Sequence, residues 1–319
     1  VKIDRVMRTA PTLAFLPLPL LAMPMGLGGA GLAWRQAAQT LGVPGLVGEA
    51  LLALTFVVWL GIVAAQAARW WRHPDAFAQE AANPVRLAFL AAPTIGFMIV
   101  SAAAWPYAPR LGAALWAMAV PLHLLVAMLL LRRVLLGRAD AAMLAPPLLI
   151  PFVGNILAPA LGARMGFLDA SWMMFGVGLL LWLIMMPLLL HRFFAGPKLP
   201  APLLPSVAIF LAPPAVGALA LVALTGQAGG ASLSLTGLAV LIAAVLLSMA
   251  RHFAALPFSI VWWSFTFPAA AFAILLMVED FHPALCWAAL AIATGITGYV
   301  AWRTAMAAAV GTFFQPEGH

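Results

Sequence analysis

Pro151-Phe152-Val153-Gly154 stands near the middle of an apolar run, about 142–161, and the same line returns along the chain. Pro93-Thr94-Ile95-Gly96 repeats it and Pro213-Pro214-Ala215-Val216-Gly217 lengthens it, while Pro24-Met25-Gly26 and Phe267-Pro268 are variants. Each line falls in a different apolar run, and these runs alternate with runs that lack it. A proline inside a helix removes a backbone donor and clashes with the preceding turn, so each line predicts a kink. In hydrocarbon the freed carbonyls need partners or a wet cavity. Five kinked helices, each followed by a straighter one, predict five repeated hairpins about a common axis, the kinked helices inside and a pore between them. Glycine in the same lines thins the helix and lets a pathway or a neighbour come close.

Composition fixes the setting. Mean hydropathy is +1.08, apolar residues are 65% of the chain and charged residues 8%, against roughly 25% charged in a soluble domain. A spanning helix needs about 20 apolar residues. Ten such runs are read, at about 12–34, 43–68, 87–105, 111–131, 142–161, 167–190, 203–225, 232–250, 257–278 and 283–305. They consume most of the 319 residues and leave short loops, so residues 1–319 read as a single all-α polytopic membrane domain. The basic start before the first run is not read as a signal peptide, because that run is long, proline-broken and lacks a small-residue cleavage site. The chain opens at Val1, and an initiator region is expected to precede it.

The charge asymmetry reports topology. Lys2, Arg5, Arg8, Arg69, Arg72, Arg86, Arg132, Arg133, Arg138, Arg192, Lys198, Arg251 and Arg303 fall on one side of the ten runs, and only Arg35, Arg110 and Arg164 on the other. The positive-inside rule then predicts both termini in the cytoplasm. No contiguous basic patch supports a nucleic-acid partner. The single cysteine, Cys286, has no intrachain partner and reads as a small packing residue.

Several of these segments carry a family resemblance. Pro24-Met25-Gly26-Leu27-Gly28-Gly29-Ala30-Gly31-Leu32-Ala33-Trp34 resembles the first helix of the tellurite-resistance/dicarboxylate transporter family, which includes bacterial tellurite-resistance protein A and the plant guard-cell slow anion channels. Asn83-Pro84-Val85-Arg86, Val153-Gly154-Asn155, Leu211-Ala212-Pro213-Pro214 and, most clearly, Trp262-Trp263-Ser264-Phe265-Thr266-Phe267-Pro268 match in order. The resemblance implies ten helices as five hairpins in quasi-fivefold arrangement around a central pore, odd helices inner and even helices outer. It also implies a homotrimer with one pore per subunit in a bacterial inner membrane, and a pore-blocking phenylalanine at Phe267. Depth agrees with that placement: about ten residues into the ninth run, at roughly 1.5 Å each, is about 15 Å into a core about 30 Å thick. The ninth helix ends on Glu279 and Asp280 where the plant channels have an aromatic.

The residues expected to kink or line the pore are Pro24, Gly26, Pro93, Gly96, Pro151, Gly154, Asn155, Pro213, Pro214, Gly217 and Pro268. No acidic or basic residue falls deep in an odd run. A neutral wall of helix-end dipoles and amides binds weakly, which permits fast passage. Arg86, Arg132, Arg133 and Arg251 either gather anions at the cytoplasmic mouth or serve topology alone. Asn155 reads equally as a pore-lining amide or as a partner for backbone freed by Pro151. The leading expectation is a channel for small monovalent anions. The alternative is a proton-coupled carrier of C4-dicarboxylate, sulfite or tellurite-type oxyanions, for which Glu49 and His123 are the groups able to carry a proton. A membrane enzyme is not expected, since His191, His252 and His282 lie on separate loops without partners at ligand spacing. No cofactor or metal is expected.

Overall fold

A computed structural model describes residues 13–137 and 144–314. Lys2, Arg5, Arg8 and Arg138, counted above, lie outside these residues, as do the starts of the first and fifth runs. Ten longer helices carry the fold: α1 Met23–Thr40, α2 Leu46–Arg72, α3 Ala92–Ala104, α4 Pro109–Leu135, α5 Leu149–Gly162, α6 Leu168–Ala195, α7 Ala212–Thr225, α8 Gly230–Ser248, α9 Thr266–Val278 and α10 Pro283–Ala309. Among the described residues there is no strand.

Nine helical stretches among the described residues are long and apolar enough to cross a membrane. They match the second to the tenth predicted runs. The first run falls short of that measure because Arg35, Gln36 and Gln39 dilute the last turns of α1. Even so, α1 packs against α2, α3, α9 and α10 and buries Leu27, Ala30 and Ala33.

Successive helices pair as α1 with α2, α3 with α4, α5 with α6, α7 with α8 and α9 with α10. Each odd helix also touches the next odd one, and α9 touches α1. The four odd stretches that meet the spanning measure are 61% to 78% buried, while the five even ones are 17% to 33% buried. The even helices turn large apolar side chains outward, such as Phe56, Leu125, Leu183 and Leu241. In water such faces would be a liability; against lipid they are the expected surface.

The prolines act differently from the predicted mid-helix kink. Each odd helix is preceded by a 3-10 segment: Leu18–Ala22, Ala88–Ala91, Pro146–Leu148, Ala201–Leu211 and Ile260–Phe265. Pro24, Pro93, Pro151, Pro213, Pro214 and Pro268 all fall within the first three residues of the α-helix that follows. A proline is tolerated in a helix's first turn because little intrahelical bonding is lost there. The span therefore changes helical type at the proline. The prolines that lie inside α-helices are Pro121 in α4, Pro159 in α5 and Pro187 in α6.

The end of the bundle that bears most arginines is tied down by a buried ion pair. Arg69 Nη1 lies 2.5 Å from Glu80 Oε2, and both side chains are almost fully enclosed. Glu80 Oε1 accepts from the backbone N–H of Leu18, while Arg69 donates to the carbonyls of Leu16 and Ala14. Gln66 adds bonds to the Leu16 and Pro17 carbonyls. The last turns of α2 thus hold the chain where it enters the first 3-10 segment. Asn83 caps the next entry by accepting from the N–H groups of Val85 and Arg86.

Candidate functional site

Two cavities lie between the odd helices and meet at Phe267. The smaller, about 40 Å³, is lined by all five odd spans, including Met25, Ile95, Ile150, Ala212 and Phe267. Its walls are apolar apart from Ser264, whose hydroxyl is buried and has no hydrogen-bond partner among the described residues. The larger, about 330 Å³, is reached towards the opposite end and is lined by Leu32, Ala102, Leu161, Leu219 and Ile274, again one from each odd helix. Three residues border both: Leu157 on α5, Val216 on α7 and Phe267 on α9. These three side chains are shared by a small apolar chamber and a wider vestibule.

Phe267 is 8% exposed. Its ring has room because Gly29 faces it: a Cβ there would come within 3.0 Å of Phe267 Cδ2 and 3.3 Å of the Ala270 Cβ. The neighbouring ring of Phe265 is spent on packing, edge-on to Phe253 at 4.9 Å and tilted against Trp262 at 5.6 Å. Trp263 anchors the segment from the other side by donating to Thr304 Oγ1 on α10.

Of the residues expected to line a pore, Phe267, Pro268 and Gly154 line the small cavity. Pro24, Gly26, Pro93, Gly96, Pro151, Asn155, Pro213, Pro214 and Gly217 line neither of the two. Several of them serve helix contacts instead. A Cβ on Gly96 would meet Trp59 of α2 at 2.8 Å, and Trp59 Nε1 donates to the Pro93 carbonyl at 2.8 Å. A Cβ on Gly217 would meet Leu235 of α8 at 3.0 Å. Gly26 admits Thr266 and Trp263. Asn155 donates to the carbonyls of Pro151 and Phe152 at 3.0 and 3.1 Å, one turn back on its own helix; neither is the Pro147 carbonyl that Pro151 leaves without a donor. Leu157, Val216, Ser264 and Gly29 were not singled out from the sequence. Ser264 and Gly29 fall within quoted motifs, but an aliphatic residue on the border of two cavities carries no signal that separates it from one in a core.

The two groups proposed for proton coupling are both engaged elsewhere. Glu49 takes two bonds from Arg35, at 2.7 and 2.6 Å, and Arg35 also donates to the carbonyls of Ala102 and Ala103. His123 is fully buried and lines neither cavity. Thr94 Oγ1 gives its proton to the Ala91 carbonyl, so His123 Nδ1, 2.7 Å away, is assigned as the donor to it. Nε2 has no hydrogen-bond partner among the described residues.

The cationic side chains are also partly committed. Arg133 donates to the carbonyls of Ala81 and Ala82, Arg192 to that of Pro197, and Arg303 lies 4.9 Å over the Phe258 ring. Arg164, like Arg110, Arg132 and Arg251, makes no ion pair or side-chain hydrogen bond among the described residues, and of these four it is the one that borders the vestibule. Among those residues no group of three His, Cys, Asp or Glu side chains is arranged to hold a metal.

Comparison with known proteins gives the family. The chain is 24% identical over 275 residues to the S-type anion channel SLAH2 of Arabidopsis thaliana, covering 83% of this chain and 53% of that protein. It is 23% identical over 269 residues to the guard cell S-type anion channel SLAC1 of the same plant, covering 81% and 48% respectively. The chain thus spans about half the length of these relatives. The sequence profile of the voltage-dependent anion channel family, SLAC1, matches residues 16–310, and the chain belongs to that family.

Proposed function

We propose that this protein is an anion channel that passes small monovalent anions along the axis between its odd helices and is closed at mid-membrane by Phe267. The observation that carries the reading is the position of Phe267, with Leu157 and Val216, on the border of both cavities. Moving a bare ion into an apolar, unpaired site costs on the order of tens of kcal/mol. The neck that these three form therefore needs only to stay dry to block conduction; it does not have to fill the whole cross-section. Removing the ring lets water in, and the hydrated path is then free of fixed charge.

The contacts of successive odd helices, with α9 back on α1, support a quasi-fivefold set of hairpins around that axis. The arginine asymmetry supports a cytoplasmic position for both termini. The family resemblance supports a homotrimer in a bacterial inner membrane. The names of the relatives, S-type anion channels, support anions as the permeant class. Proton-coupled carriage of dicarboxylate, sulfite or tellurite-type oxyanions is the less favoured reading, because Glu49 is held by Arg35 and His123 is walled off from both cavities.

The test is anion current in bilayers or oocytes for the wild type beside Phe267→Ala. The expected result is little wild-type current and a large chloride or nitrate current in the variant, reversing at the anion gradient. A folded, inserted variant that stays silent removes the gate assignment.

A further inference from the structure

We propose that the wide vestibule is a binding site for an organic monocarboxylate, the carboxylate on Arg164 and the apolar body against Leu32, Leu161, Leu219 and Ile274. The two arginines at this vestibule are not equivalent. The guanidinium of Arg35 already serves both oxygens of Glu49 and two backbone carbonyls, so its charge is balanced and four of its five N–H donors are used. The guanidinium of Arg164 has no carboxylate or carbonyl partner among the described residues, and it borders the same space. Glu279, the acidic residue at the end of α9, does not line the vestibule and takes a bond from Thr236. A free planar donor at the edge of a chamber that is largely apolar, with Arg35, Gln36 and Gln39 as its other polar side chains, matches an anion with two oxygens and a greasy body better than a hydrated halide.

Size gives the site its consequence. The vestibule, about 330 Å³, is roughly eight times the volume of the chamber beyond the neck, about 40 Å³. A carboxylate with a ring or a branched chain fits the first and not the second, so it stops at Phe267 and occupies the path. Its binding does not depend on conduction. Only its action as a blocker rests on the channel reading.

Equilibrium dialysis of labelled benzoate against the purified, detergent-solubilised protein tests the site without any current. Saturable binding is expected, about tenfold weaker in Arg164→Gln and partly restored in Arg164→Lys, the loss of one charge-assisted contact. Benzyl alcohol, the body without the charge, and acetate, the charge without the body, should each compete poorly. Equal binding by wild type and Arg164→Gln, or competition by acetate as strong as by benzoate, overturns the proposal. Benzoate should also reduce the Phe267→Ala current from the vestibule side, and less so in Phe267→Ala/Arg164→Gln. If the current is absent while the dialysis result holds, the channel reading fails and the site stands. If the current flows but benzoate does not bind, the site fails and the channel stands.

Discussion

The His123 ring fills the volume that a side chain at residue 154 would need: a Cβ on Gly154 would overlap its Cε1 and Nε2 atoms. The ring has no slack, since it is fully buried and held by Thr94 at 2.7 Å. An outer-helix side chain thus reaches between two inner helices, touching Thr94 beside Pro93 on α3 and Gly154 beyond Pro151 on α5.

Gly154→Ala is accordingly expected to destabilise the protein, by about 1–3 kcal/mol for a forced repacking of a full core. The loss should shrink when His123→Ala is added, because the second change removes the atoms that clash. Thermal unfolding of the four species in one detergent measures the coupling. Equal losses in the Gly154→Ala single variant and in the pair, each against its own parent, would show that the ring does not set the requirement.

The neck offers a graded prediction. Phe267→Ala should give the largest current, with smaller gains for Leu157→Ala and Val216→Ala, because these side chains border both cavities but remove less apolar bulk. Leu157→Ala should also cost about 2–5 kcal/mol of stability as a buried truncation, so currents need to be scaled to folded protein at the membrane. An increase confined to Phe267→Ala would mean that the ring alone closes the path.

Much of this was readable before any coordinates. Apolar runs at membrane length are set by the solvent, and hydrocarbon enforces them on sequence strongly. The prolines marked the right five spans but not their local geometry. A proline in the first turn and one in mid-helix leave the same letters, and the 3-10 segments before Met23, Ala92 and Leu149 have no residue signature of their own. Glycine was read as an opening for a pathway or for a neighbour, and the letters do not choose between them. Gly96 and Gly217 admit neighbours, Trp59 and Leu235 from the paired even helices, a choice that depends on which side chain arrives. The neck was half readable: an aromatic inside a motif stands out, whereas Leu157 and Val216 resemble every other aliphatic residue in the bundle.

Glu80 is the buried anion that the sequence gives no reason to single out, and its pairing with Arg69 makes a sharp stability prediction. Breaking a buried ion pair from one side costs roughly 3–5 kcal/mol because the remaining charge is left without compensation. Glu80→Gln should therefore destabilise strongly, and Glu80→Gln with Arg69→Met should recover part of the loss. Glu80→Gln turns the bond from the Leu18 N–H from charge-assisted to neutral, and Arg69→Met removes the donors to the carbonyls of Leu16 and Ala14. Amide exchange should rise first around residues 13–18. Uniform loss of protection along α2 instead would show that the pair stabilises its helix and not the entry segment.

Channel and carrier make opposite predictions about Glu49 and His123. Glu49 is clamped by Arg35 at 2.7 and 2.6 Å, and His123 faces no charged group and neither cavity. Neither is placed to take a proton from one side and give it to the other. In the Phe267→Ala background, an imposed pH gradient should then leave the reversal potential of any current at the value set by the anion gradient. His123→Ala should leave that potential unmoved as well. Glu49→Gln should lower the amount of folded protein, because Arg35 keeps its charge and loses its carboxylate, yet the current that survives should reverse at the same potential. A reversal potential that follows the proton gradient, and stops following it when either residue is changed, would make coupled transport the better account.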